Sequence, residues 1–321
     1  NDRIGSPGGV PKASETFQKE AHQVRTETAQ AIQKIEQNGA YDTYGTHYWT
    51  GPGELVEDNL EGDDSRIIMD RAVPFIEQAA ADDEPFFAVV WFHTPHLPVV
   101  AGPEHRAMYE GEPGARPDYF GCITAMDEQI GRLRATLAEL GVADNTIVFF
   151  CSDNGPEGRA ENNGSPGSTN GLRGRKRSLY EGGIRVPGLM VWPARVGESM
   201  TIDAPCCTSD YLPTLLAVLG IEQIESRGPI DGISLLPLID GERIERGSGI
   251  GFQSSGQVAW ITDRYKLVTP RRGEPMELYD IINDPSEQND LSADLSRHHR
   301  RTLALFEWMN DVKHEGESLG E

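Results

Sequence analysis

The chain has 321 residues, of which 29 are basic and 51 acidic, for a formal net charge of −22. That balance argues against general affinity for nucleic acid or anionic membrane, so an anionic ligand would need a local cluster of positive charge. No run approaches the roughly 18 apolar residues of a transmembrane helix, no signal peptide is visible, and the four cysteines form neither a Cys-x-x-Cys pair nor a disulfide framework.

Residues 1–13 are rich in Gly and Pro and read as irregular. From Ser14, Phe17, Ala21, Val24, Ala31 and Ile35 recur at helical steps and predict a helix stopped at Gly39. Asp63, Asp64 and Ser65 mark the start of another helix carrying Ile68, Ala72, Phe75, Ile76 and Ala79, which Pro74 should kink. The adjacent aspartates could be metal ligands, but no apolar strand precedes them, and capping is the better reading. Pro85 to Phe92 is continuously apolar, as in a strand buried on both faces of a parallel sheet. It would deliver His93-Thr-Pro-His96-Leu-Pro to the carboxyl edge of that sheet. Pro95 spoils a helical zinc pair, leaving each histidine open as a catalytic group or an ordinary hydrogen-bonded one.

Ile123, Met126, Ile130, Leu133, Leu137 and Leu140 keep a 3,4 spacing and predict a core-facing helix over 119–140, ended by Gly141. Residues 147–151 form a second unbroken apolar run, so 85–152 reads as a βαβ crossover with both strand ends on one edge. Asp153 and Asn154 follow directly. A carboxylate beside an amide carbonyl offers hard oxygens to Ca²⁺ or Mg²⁺, and Asp-Asn-Gly-Pro is equally good turn chemistry. Residues 155–170 lack periodicity and suit a flap, with a glycosylation sequon at Asn163. Arg173-Gly-Arg-Lys-Arg177 is the densest positive cluster, ahead of another apolar run at 188–192. Farther on, a helix over 209–219 should turn Tyr211, Leu212, Leu215, Leu216 and Leu219 inward. Short strands at 249–253, 258–261 and 265–269 suggest a small antiparallel sheet, and a last helix spans about 293–312. The subdomain boundary falls near 245, dividing the chain into 1–244 and 245–321.

Four segments in order carry a resemblance: Phe-His-Thr-Pro-His-Leu-Pro (92–98), Asp-Asn-Gly-Pro-Glu (153–157), Leu-Arg-Gly-Arg-Lys-Arg-Ser-Leu-Tyr-Glu-Gly-Gly-Ile-Arg-Val-Pro (172–187) and Glu-Leu-Tyr-Asp-Ile-Ile-Asn-Asp-Pro-Ser-Glu (277–287). Together they resemble the type I sulfatases of the alkaline phosphatase superfamily. The resemblance implies an α/β fold with a mainly parallel sheet sandwiched by helices, a small C-terminal antiparallel α+β subdomain, and hydrolysis of sulfate esters at a Ca²⁺ site. Asp153 and Asn154 match two of that family's calcium ligands. His96 matches a histidine at the sulfate or leaving-group oxygen, with His93 less securely matched. Lys176 matches the sulfate-binding lysine; Arg175 and Arg177 flank it where the family usually has Gly and Gly-Thr, and are candidate substrate contacts.

The family's nucleophile is a formylglycine made from Cys or Ser in Cys/Ser-x-Pro/Ala-x-Arg, and no cysteine here has that setting. Paired aspartates after a first strand and a Gly-Lys-Trp-His segment are also missing. The expectation is a fragment beginning downstream of the nucleophile, binding a small sulfate ester or sulfated carbohydrate without turning it over alone. The resemblance implies no nucleic-acid or membrane partner and a periplasmic, secreted or lysosomal setting. A phosphate or phosphonate monoester hydrolase of the same superfamily and a non-catalytic sulfated-ligand-binding protein remain as alternatives.

Overall fold

The computed structural model describes residues 48–51, 54–56, 58–60, 63–96, 99–158, 166–221, 230–271, 273–293, 304–305 and 307–308. The helix expected over 14–39 and most of that expected over 293–312 lie outside these residues. Strands β1 (Trp49–Gly51) and β2 (Glu54–Leu55) form a short antiparallel pair ahead of helix α1 (Asp64–Ala81). Asp63 caps that helix by accepting the Ser65 N–H at 2.9 Å. The helix runs through Pro74 without a break. Its buried face is Ile67, Met69, Val73 and Ile76, and the expected core residue Phe75 is instead 52% exposed.

Helices α2 (Pro103–Ala107) and α3 (Arg116–Glu139) follow, and α3 packs against both α1 and α2. Leu137 of the predicted stripe is fully buried, whereas Ile123, Met126, Ile130, Leu133 and Leu140 are half-buried. Small residues, Gly121, Cys122 and Ala125, make the closest buried contacts of α3. Arg132 reaches back to Asp70 of α1 at 2.5 Å.

The strand expected over 85–92 is not formed among the described residues. A β-strand exists only with a hydrogen-bonded neighbour, and no described segment supplies one; Phe87, Val89 and Trp91 are 71%, 60% and 83% exposed. Strand β3 (Val148–Cys151) is where expected, but half-buried rather than enclosed on both faces. It pairs antiparallel with β4 (Gly188–Val191), Val148 opposite Val191 and Cys151 opposite Gly188. All pairings among the described strands are antiparallel, so the parallel crossover over 85–152 is absent from them. The short helix α4 (Glu181–Ile184) lies between β3 and β4 in the chain.

Helix α5 (Tyr211–Val218) follows a 3-10 turn at Thr208–Asp210, and a short α6 (Leu236–Ile239) comes next. The inward stripe predicted for this region is only partly so: Leu212 and Leu219 are 48% and 68% exposed, and the buried residue is Thr214. Thr214 Oγ1 donates to the Asp210 carbonyl at 2.6 Å and accepts the Leu235 N–H at 2.9 Å, which docks α6 onto α5. Asp210 also meets Arg246 in a buried bidentate pair, at 2.6 and 2.8 Å.

The C-terminal sheet contains the three predicted strands, β5 (Ile250–Ser254), β6 (Gln257–Ile261) and β7 (Tyr265–Thr269), in an antiparallel meander. A fourth, β8 (Glu277–Asp280), completes it within a segment noted only as a motif. Its core joins Ile250, Ala259, Ile261, Val268, Tyr279 and Ile281 to Leu179 and Tyr180, so the segment leading into α4 is bound to this sheet.

Candidate active site

Strand β3 presents Asp153 and Asn154 at its carboxyl end, as the apolar run followed by Asp-Asn-Gly-Pro requires. Asp153 is exposed and its Oδ1 accepts the Asn154 N–H at 2.9 Å. Asn154 Nδ2 donates to the Gly155 carbonyl at 2.9 Å, which commits the nitrogen end of the amide and leaves Oδ1 as the end for a cation. The next residue, Gly155, donates its N–H to the Gly183 carbonyl at 2.8 Å, pinning the pair to α4. Two hard oxygen donors suit Ca²⁺, which takes about six to eight. The pair therefore fits part of a calcium shell, and no group of three or more His, Cys, Asp or Glu side chains able to hold a metal occurs among the described residues.

The basic run does not form one positive patch. Positive φ at Gly174 (79°) and Arg177 (75°) turns the chain twice and sends its side chains in different directions. Arg173 lies over the Tyr180 ring, 3.8 Å from its centroid, and donates to Tyr279 Oη at 2.7 Å. Arg175 is buried, with Nε and Nη2 on the Glu157 carbonyl at 3.2 and 3.0 Å and Nη2 also on the Gly167 carbonyl. These bonds tie together the described ends of the 155–170 loop. Lys176 and Arg177 share Glu157, at 3.8 and 2.7 Å. Arg177 and the Gly158 N–H hold the Glu157 carboxyl below the usual carboxylate range. The Lys176 backbone N–H also donates to the Pro156 carbonyl at 3.1 Å. Thus residues 153–157 and 172–184 form one bonded unit, with Lys176 held on Pro156 and Glu157.

His93 and His96 are both exposed, and the His96 N–H closes a turn on the His93 carbonyl at 2.7 Å. His93 Nδ1 lies 3.2 and 3.1 Å from the two carboxylate oxygens of Asp64, and that carboxylate also accepts the Tyr48 hydroxyl. Burial pushes Asp64 upward, but the bonds from His93 and Tyr48 outweigh it and leave its carboxyl below the ordinary range. The Asp64 bond raises His93 above the usual histidine value, partly opposed by burial. Asp64 is the side chain that sequence reasoning missed. Asp63 is the cap, and nothing local to Asp64 signals a partner 29 residues away.

A second unforeseen group supports the site from below. Lys266 of β7 is fully buried, with Nζ 2.9 Å from both Glu181 of α4 and Glu287, and Glu287 accepts the Glu181 N–H at 2.6 Å. The C-terminal sheet is thereby fastened to the helix on which Gly155 rests.

The sulfatase family model matches residues 12–221. Ulvan-active sulfatase from Formosa agariphila is 31% identical over 252 residues, covering 70% of this chain and 47% of that protein. Human arylsulfatase A is 29% identical over 240 residues, covering 66% of this chain and 45% of its own length. The chain spans about half or less of the curated relatives it matches. Among solved structures, Ps i-CgsB in complex with k-i-k-neocarrahexaose superposes with a TM-score of 0.72 at 25% identity, covering 88% of this chain and 62% of that one. These likenesses carry the α/β, alkaline phosphatase-like fold class.

Proposed function

The chain belongs to the sulfatase family, and from that premise we propose that it supplies the sulfate-binding lysine and part of the calcium shell of a sulfuric ester hydrolase. The observation that supports this reading is the bonding of Lys176 to Pro156 and Glu157, the residues that follow the oxygen pair Asp153–Asn154 in the chain. Asp153 and Asn154 would hold the ion, and calcium when bound supplies positive charge to the sulfuryl oxygens. Lys176 donates to a sulfuryl or leaving oxygen, and its side chain, only 16% exposed, is strengthened in that role by partial desolvation. His96 stands at the leaving-group side, where the departing oxygen must gain a proton as the S–O bond breaks.

No cysteine or serine among the 321 residues stands in Cys/Ser-x-Pro/Ala-x-Arg. The residues present therefore do not fit formylglycine. A sulfated carbohydrate is the favoured substrate class, supported by the ulvan-active relative and by the neighbour solved with neocarrahexaose.

Calorimetric titration of the purified chain with CaCl₂ and sodium sulfate tests this. Calcium binding lost in Asp153→Ala and sulfate binding lost in Lys176→Ala are expected, with no turnover of p-nitrophenyl sulfate. Hydrolysis by the 321-residue chain, or sulfate affinity unchanged in Lys176→Ala, would overturn the reading.

A further inference from the structure

The cluster of Tyr48, Asp64 and His93 has the form of a carboxylate-oriented imidazole. Asp64 is 9% exposed, lies in the first turn of α1, and receives two bonds, from Tyr48 Oη and His93 Nδ1. The helix N-terminus favours its negative charge, and the Tyr48 bond prevents it from turning away. A buried carboxylate on one ring nitrogen fixes both the tautomer and the direction of the other nitrogen. The His93 side chain is 54% exposed, and no described residue is recorded on its Nε2.

Ser65 Oγ, next to Asp64, meets Thr94 Oγ1 at 3.5 Å, which holds the histidine turn onto α1. Tyr119, at the start of α3, faces Gly167 and Arg175.

We propose that Asp64 is a positioning residue that holds His93 by Nδ1 so that Nε2 donates to an anionic oxygen of a bound sulfate ester. This rests on the sulfatase reading above. It adds a second nitrogen donor to the one at His96, and its role is distinct from that of Lys176, which is held by Glu157. The ionisable groups facing His93 and Asp64 are Asp63, through space, and Tyr48, through its hydroxyl.

The test is nitrogen-15 NMR of the full 321-residue chain, with His93→Gln used for assignment. On the unaltered protein, above the His93 titration, the neutral ring should be the Nδ1–H tautomer; the commoner Nε2–H tautomer would overturn the proposal without need of a variant. In Asp64→Asn, His93 should titrate lower, and inorganic sulfate should bind about tenfold more weakly, the size expected for loss of one charge-assisted contact. His93 titrating as in the unaltered chain overturns the positioning role, and sulfate leaving His93 Nε2 unmoved overturns the contact. Lys176→Ala separates the two ideas. If it binds sulfate normally while Asp64→Asn does not, the family-based reading of the lysine fails and the Asp64–His93 assignment stands.

Discussion

Gly155 and Gly182 are in backbone contact so close that a Cβ on Gly155 would fall 1.9 Å from the Gly182 carbonyl oxygen. The residue after the Asp153–Asn154 pair is thus pressed onto α4, and only hydrogen fits between them. Gly155→Ala must push β3's end away from α4. We expect a loss of about 3 kcal/mol, at the upper end for overpacking, and abolished calcium binding, read by chemical denaturation and calorimetry. Retained calcium affinity would show that the pair is not held by this contact.

Arg175 and Arg177 flank the same lysine yet should behave oppositely. Arg175→Ala leaves the Glu157 and Gly167 carbonyls without their buried guanidinium and should cost about 2–3 kcal/mol. Arg177, 59% exposed on its Glu157 partner, should change stability by less than about 1 kcal/mol when replaced by alanine. Equal thermal shifts for the two variants would contradict these assignments.

Lys266 neutralises one of two buried carboxylates, and burial raises Glu287 above the ordinary glutamate range even with Lys266 beside it. A carboxyl raised in the folded state favours folding when protonated, and that contribution disappears as pH rises through its folded value. Lys266→Met should therefore destabilise by about 3–5 kcal/mol at pH 7.5 and by less at pH 5, where protonation relieves the unpaired charges. Urea midpoints at the two pH values measure this. A deficit that grows toward acid would be inconsistent with the buried trio.

The Asp210–Arg246 pair has the opposite sign. Burial pushes Asp210 up, but Arg246 and the N–H groups of Ile233 and Cys207 outweigh it, and the carboxyl sits below its ordinary value. Its contribution is present above the unfolded aspartate value and lost as pH falls through the folded one. Asp210→Ala should cost about 3 kcal/mol or more at pH 7, with the difference from the unaltered chain shrinking as pH falls below the ordinary aspartate value. Thermal melts across that range provide the check.

Local patterns settled a definite share of this protein. Helical spacing before Gly141, an unbroken apolar run before Asp153, and short apolar runs after residue 249 are each legible in the local sequence, and the corresponding elements are present. The order of four motifs was enough to point to the family, because each motif needs its own backbone geometry. Only tertiary structure decided what depends on distant partners. Pro85–Phe92 has the composition of a central strand, but a ladder needs a neighbour, and none pairs with it among the described residues. The basic run looked like one anion site, yet two left-handed turns divide it among Tyr180, Gly167 and Glu157. Asp64 meets His93 across 29 residues, and Lys266 meets Glu181 across 85. Side chains that distant are brought together by packing, and no period or spacing in the chain records it.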